Sequence, residues 1–179
     1  RCRMNARMSC RWCATAGLLL LPLSLLGCAP MRIESAYGPG IRFDGMGKTW
    51  TWAPEAKMGL RYEKVLSAEH DALLRRLIGE ELARKGYRPL TDGKADIAVD
   101  YAVTQRTRGG MRESSFTPVH SEGALVIDVL DPATGKHIWR GYAEAKLDPS
   151  LDPAVRKARL SQAVRLILKR FADAGKSPR

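Results

Sequence analysis

The chain has 179 residues, 45% of them hydrophobic, with 30 Lys+Arg against 19 Asp+Glu and a formal charge of +11. That length suits one ordinary domain, and the composition excludes both a disordered chain and a protein of several membrane spans. All 4 cysteines (Cys2, Cys10, Cys13 and Cys28) lie near the start, which excludes a disulfide framework or a cysteine zinc site in the domain that follows.

Residues 1–12 are basic and carry no acidic group, and Gly17 to Leu26 is an uncharged, leucine-rich run. Together they read as the n-region and h-region of a secretory signal. The apolar core is short for a bilayer crossing, which needs about 20 residues. Leu25-Leu26-Gly27-Cys28 then has the form of a lipobox: an aliphatic residue three before the cysteine, a small one at the cut, and a thiol able to carry thioether-linked diacylglycerol. Cleavage between Gly27 and Cys28, with lipid on Cys28, is the expectation. The rival is an uncleaved anchor, against which Pro22, Pro30 and the Gly27-Cys28 junction argue. Either way the arginines stay inside and residues 33–179 lie outside the cytoplasm.

Cys2, Cys10 and Cys13 leave with the signal or precede the true start, expected at Met4 or Met8 because position 1 is Arg. Loss of Arg1, Arg3, Arg7 and Arg11 lowers the charge from +11 to +7. More than one acyl chain, such as palmitate, gives stable anchoring at about 0.8 kcal/mol per buried CH₂. Ala29 follows the cysteine, not the Asp that retains such proteins at the inner membrane of enteric bacteria, so the outer membrane is the expected address.

Four segments follow: signal peptide 1–27, lipidated N-terminus and tether 28–47, domain 48–175 and tail 176–179. Pro30, Gly38, Pro39, Gly40, Gly45 and Gly47 mark the tether, within which Met31–Tyr37 can form a short strand. Trp50 and Trp52 share one face of a strand that Pro54 ends. Ser67 caps a helix over 68–85, with a Leu74, Leu77, Ile78, Leu82 stripe and Gly86 at its close. Ala95–Thr107 alternates as a strand. Arg106–Ser121, with Gly109-Gly110 and Pro118, reads as a long irregular loop.

Gly123–Leu130 and Lys136–Leu147 are strands joined by the turn Asp131-Pro132-Ala133-Thr134-Gly135. On the second, Trp139, Gly141, Ala143, Ala145 and Leu147 share a face whose small residues let a helix close tightly. Asp152-Pro153 opens a last helix, with Val155, Val164, Ile167, Leu168 and Phe171 as its buried stripe and its end near Gly175. The expected fold is α+β, order β-α-β-β-β-α, with two amphipathic helices on one face of an antiparallel sheet.

Lys48-Thr-Trp-Thr-Trp-Ala-Pro54, Lys85-Gly-Tyr-Arg-Pro89, Ala95-Asp-Ile-Ala-Val-Asp-Tyr101, Gly123-Ala-Leu-Val-Ile-Asp128 and Asp131-Pro-Ala-Thr-Gly-Lys136 with Trp139-Arg-Gly141 form an ordered set. This set resembles the bacterial envelope lipoproteins catalogued as domain of unknown function 4136, over roughly 31–172. Gly47 departs from the pattern, which tends to place an aromatic there. The resemblance implies an α+β domain in the cell envelope and no particular activity.

His70, His120 and His137 have no metal-pair spacing, so no metal or cofactor is expected. Asp100 and Asp128 are the one carboxylate pair worth a catalytic test, as possible cross-strand neighbours, against a solvated face as the plainer reading. No nucleophile elbow or phosphate-cradling glycine loop is present. Trp50, Trp52 and Trp139 suit either a sugar platform or the core side of the sheet. Arg156, Lys157, Arg159, Arg165, Lys169 and Arg170 give the last helix a basic face, for partner or lipid contact or for plain solvation.

The resulting expectation is a non-catalytic outer-membrane lipoprotein facing the periplasm, acting by contact with an envelope protein, peptidoglycan or lipopolysaccharide; export removes nucleic acid as a partner. The alternatives are a hydrolase at Asp100 and Asp128, and a small-ligand carrier, which tight closure over Gly141, Ala143 and Ala145 would exclude.

Overall fold

The computed structural model describes residues 31–41, 47–54, 67–91, 94–112 and 115–173, the side chains of 107–120 excepted. Cys28, Gly27 and the rest of the signal and lipobox lie outside the described residues, as does the 176–179 tail.

The elements in chain order are β1 (Arg32–Tyr37), β2 (Thr49–Trp52), α1 (Ala68–Arg84), β3 (Arg88–Pro89), β4 (Ile97–Arg112), β5 (Ser115–Leu130), β6 (His137–Leu147) and α2 (Pro153–Leu168). They form an α+β domain: one six-stranded sheet, order β1-β6-β5-β4-β2-β3, and two helices. Both helices pack on the same face.

The sheet is mixed, which corrects the expectation of purely antiparallel pairing. β2 runs parallel to β4 and to β3, while β1, β6, β5 and β4 pair antiparallel. The cause is connectivity: α1 lies between β2 and β4, and a helical crossover returns the chain to the same end of the sheet. β3 was not expected; Arg88 N–H and Leu90 N–H donate to the carbonyls of Lys48 and Trp50 as the chain leaves α1.

Arg106–Ser121 is not an irregular loop. β4 and β5 continue as a ribbon to Arg112 and Ser115, and their register shifts between Arg108 and Gly110. Two residues of β5, Pro118 and Val119, there stand opposite Gly109 alone, so the extra residue of the bulge lies on β5, at the proline that the loop reading relied on.

β1 belongs to the sheet, with Arg32 opposite Glu144 and Tyr37 opposite Trp139. The strand allowed within the tether is therefore an edge strand of the domain.

α1 starts where Ser67 Oγ accepts from His70 N–H at 3.4 Å and ends at Gly86, whose φ of +87° is the left-handed value glycine takes freely. Leu74, Ile78 and Leu82 are fully buried under it. Asp152 caps α2 by accepting from Ala154 N–H at 2.7 Å. α2 closes at Leu168, short of Gly175, because a turn at the exposed Lys169 and Arg170 delivers Phe171 into the core. Phe171 then stacks on Tyr87 (5.6 Å between ring centroids) and meets Trp139 (5.1 Å). Burial pushes the Tyr87 phenol up to about 12.

Gly141 is where α2 comes closest to the sheet. A Cβ there would lie 2.4 Å from the Trp139 ring and 2.7 Å from Ile167. At Gly47 a Cβ would lie 2.0 Å from the Asp96 carboxylate. The glycine's bareness lets that carboxylate accept from Thr49 N–H at 2.8 Å and from the Thr49 hydroxyl, pinning β2 to the approach of β4.

Candidate functional site

Asp100 and Asp128 are brought together as anticipated, as direct partners across β4 and β5. They lie on the face of the sheet opposite the helices, because Val99, Tyr101, Ile127 and Val129 take the helix side. Asp128 is 3% exposed. Its oxygens accept from Arg140 Nε at 2.6 Å and Nη2 at 2.8 Å, a bidentate pair, with His137 Nδ1 3.5 Å away. Asp100 accepts from Tyr101 N–H at 2.7 Å. The arrangement is a buried carboxylate answered by a guanidinium, at the centre of a helix-free sheet face.

The tryptophans turn to the helix side. Trp50 and Trp139 are in the core, and Trp52 is half-buried. Arg75 of α1 lies over Trp52, 4.8 Å from the ring centroid, and 5.7 Å from that of Tyr101. Its Nε donates to Asp71 at 2.9 Å, and Asp71 accepts from the Tyr101 hydroxyl. Burial, then Asp71, push the Tyr101 phenol up. This cluster ties α1 to the sheet. Of the histidines, His70 Nδ1 contacts the capping Ser67 hydroxyl at 2.7 Å, and His120's side chain lies outside the described residues. No grouping of three His, Cys, Asp or Glu able to hold a metal occurs among the described residues.

The expected tight closure holds at Gly141 and fails beyond it. A groove of about 490 Å³ opens between α2 and the sheet, where Ala143 and Ala145 of β6 face Leu160 and Ala163 of α2. β4 and β5 contribute Val103 and Leu125, and Met31 lies at one edge. The volume is within the ~300–1,000 Å³ usual for small-molecule sites. The physical reason is residue size: alanines stand on both walls, and nothing bulky fills the gap between them. Val155, expected in the buried stripe of the last helix, is instead 39% exposed at this end of the domain, and Leu147, on the shared face of β6, is 43% exposed.

The groove also divides the basic set. Arg156 and Arg159 line it; Lys157, Arg165, Lys169 and Arg170 are exposed elsewhere on α2. Arg156 Nη1 donates to the carbonyls of Leu151 (2.6 Å) and Pro149 (3.2 Å), lacing the β6–α2 turn to the helix. Arg159 Nη2 is buried and has no hydrogen-bond partner among the described residues. Asp148, nearby, is held below the usual carboxylate range by the Ser150 hydroxyl and N–H and, more weakly, by the charge of Arg159. Lys146 borders the groove through its backbone, its side chain leaving the other face of β6 by alternation with Ala145 and Leu147. Leu151, Leu160 and Met31 were not singled out in the sequence. The exposure of Leu147 and Val155 is the signal that points to them, and only the structure supplies it.

Among solved structures, a PelC dodecamer from Paraburkholderia phytofirmans aligns over 81% of this chain and 99% of that one, with 9% identity and a TM-score of 0.49. A PDZ domain protein from Parabacteroides distasonis ATCC 8503 aligns over 84% of this chain and 38% of that chain, with 13% identity and a TM-score of 0.53. At 13% identity the likeness to the PDZ domain protein is one of fold alone. No curated protein matches the chain. Residues 33–171 match the family described as domain of unknown function 4136, and the chain belongs to that family.

Proposed function

We propose that the chain is a non-catalytic outer-membrane lipoprotein, anchored through Cys28 and facing the periplasm, that acts by contact with another envelope component, protein or glycan. The observation that carries this reading is the lipobox Leu25-Leu26-Gly27-Cys28 directly behind an uncharged leucine-rich run. The place of β1 adds a constraint. With Arg32 already in the sheet, only Ala29, Pro30 and Met31 separate the lipidated residue from the domain. Three extended residues reach about 10 Å, so the domain sits on the membrane surface and its partner must come to it. The exposed cations Lys157, Arg165, Lys169 and Arg170 offer that partner an acidic-ligand surface.

The Cys28→Ala variant tests the anchor. The expected result is loss of the lipid, by mass spectrometry, and recovery of the chain in the soluble periplasmic fraction. Retention on membranes after a high-salt wash would overturn the reading.

A further inference from the structure

We propose that the groove between α2 and the sheet binds a long-chain fatty acid, its alkyl chain between Ala143, Ala145, Leu160 and Ala163 and its carboxylate on Arg159. Three features select that ligand. The inner walls are aliphatic, with Val103 and Leu125 as the floor, and a flexible alkyl chain conforms to such a surface without hydrogen bonds. Its lining runs along β5 from Leu125 to Ser121, about 13 Å of strand, which gives an alkyl chain length to lie along. Two cations stand together at one place, Arg156 and Arg159, about one turn of α2 apart.

Charge decides the occupant. Asp148 is the acidic residue among those lining the groove, and its carboxylate is taken up by Ser150. Arg156 is spent on the carbonyls of the turn. Arg159 is left with a buried Nη2 and no acceptor among the described residues. A buried guanidinium nitrogen without an acceptor is costly, and an anionic head placed there satisfies it. The neutral diacylglycerol expected on Cys28 brings no such charge, although Met31 at the groove's edge puts that lipid within reach. The site therefore stands independently of the anchor.

The test uses the full chain in isolated bacterial membranes. A photoactivatable alkyne analogue of palmitic acid is added, the sample is irradiated, and the labelled peptides are mapped. Label is expected on the segments holding Ala143–Leu147 and Leu160–Ala163, competed by palmitate and not by hexadecanol. Arg159→Gln should weaken competition by palmitate about tenfold, the loss of one charge-assisted contact. Ala145→Phe should abolish labelling by filling the groove; retained thermal unfolding of both variants shows that they fold. Label spread over exposed loops, equal competition by hexadecanol, or unchanged competition in Arg159→Gln would overturn the proposal. So would label that enters the Cys28→Ala chain, irradiated in the soluble periplasmic fraction, and not the lipidated chain in membranes, which would give the groove to the chain's own lipid. Because membrane release of the Cys28→Ala chain is read separately, failure of the anchor and failure of the site are distinguishable.

Discussion

Asp128 and Arg140 form an ion pair whose two ends stand in different surroundings, and that asymmetry fixes the order of two mutational costs. Asp128 is 3% exposed, whereas the Arg140 side chain is 38% exposed. In Asp128→Ala the guanidinium turns to water, and the loss is about 1–3 kcal/mol, that of hydrogen bonds to a charged group. In Arg140→Ala the carboxylate stays where it is, without its main counter-charge, and the cost approaches the ~3–5 kcal/mol of a broken buried pair. Urea unfolding of both variants at neutral pH measures the difference. Equal costs, or a larger loss in Asp128→Ala, would refute the reasoning and leave backbone packing as the source.

Gly141→Ala should lower stability by about 1–3 kcal/mol, the usual cost of overpacking, because the added methyl meets Trp139 and Ile167 well inside contact distance; a fall of a few degrees in thermal unfolding checks it. Acid should weaken the wild-type chain below about pH 4. Asp96, Asp131 and Asp148 all lie below the ordinary carboxylate range, through hydrogen bonds from Thr49, from Ala133 and Thr134 N–H, and from Ser150 respectively. The folded state then binds fewer protons than the unfolded one, so their contribution is present above the unfolded pKa and lost as pH falls through the folded values. Denaturation midpoints across this range should show the fall, and Asp96→Asn should flatten part of it.

Local signals in the chain carried most of the fold. Ser67, Gly86 and Asp152-Pro153 mark helix ends through hydrogen bonds made within a few residues, and Trp50, Ile97, Val99 and Ile127 declare their face by alternation. Asp100 and Asp128 declare the opposite face in the same way, each alternating with residues that point to the core. What stayed hidden depends on distant segments. The parallel run of β2 beside β4 is decided by where α1 delivers the chain, and the two-residue β3 exists only because β2 is there to pair with. The ribbon beyond Arg106 carries Gly109-Gly110 and Pro118, turn residues in isolation, and its bulge sets Pro118 and Val119 opposite Gly109, so residues that locally spell a loop are absorbed between long strands.

The groove was missed for a related reason. Small residues on a strand permit close approach without enforcing it, since the approach depends on what the helix presents. Opposite Gly141 the helix offers Ile167, and Trp139 leans across the gap, so the glycine is filled from both sides. One and two strand pairs further on, Ala143 and Ala145 face Leu160 and Ala163, and the next turn of α2 brings arginines that seek water or an anion. A groove stays open there because the residues facing one another across it, Ala143 and Ala145 against Ala163, are small. The same alternation of small residues thus closes the core at one end of β6 and opens a cavity at the other, and the composition of α2, read against the strand it covers, decides which.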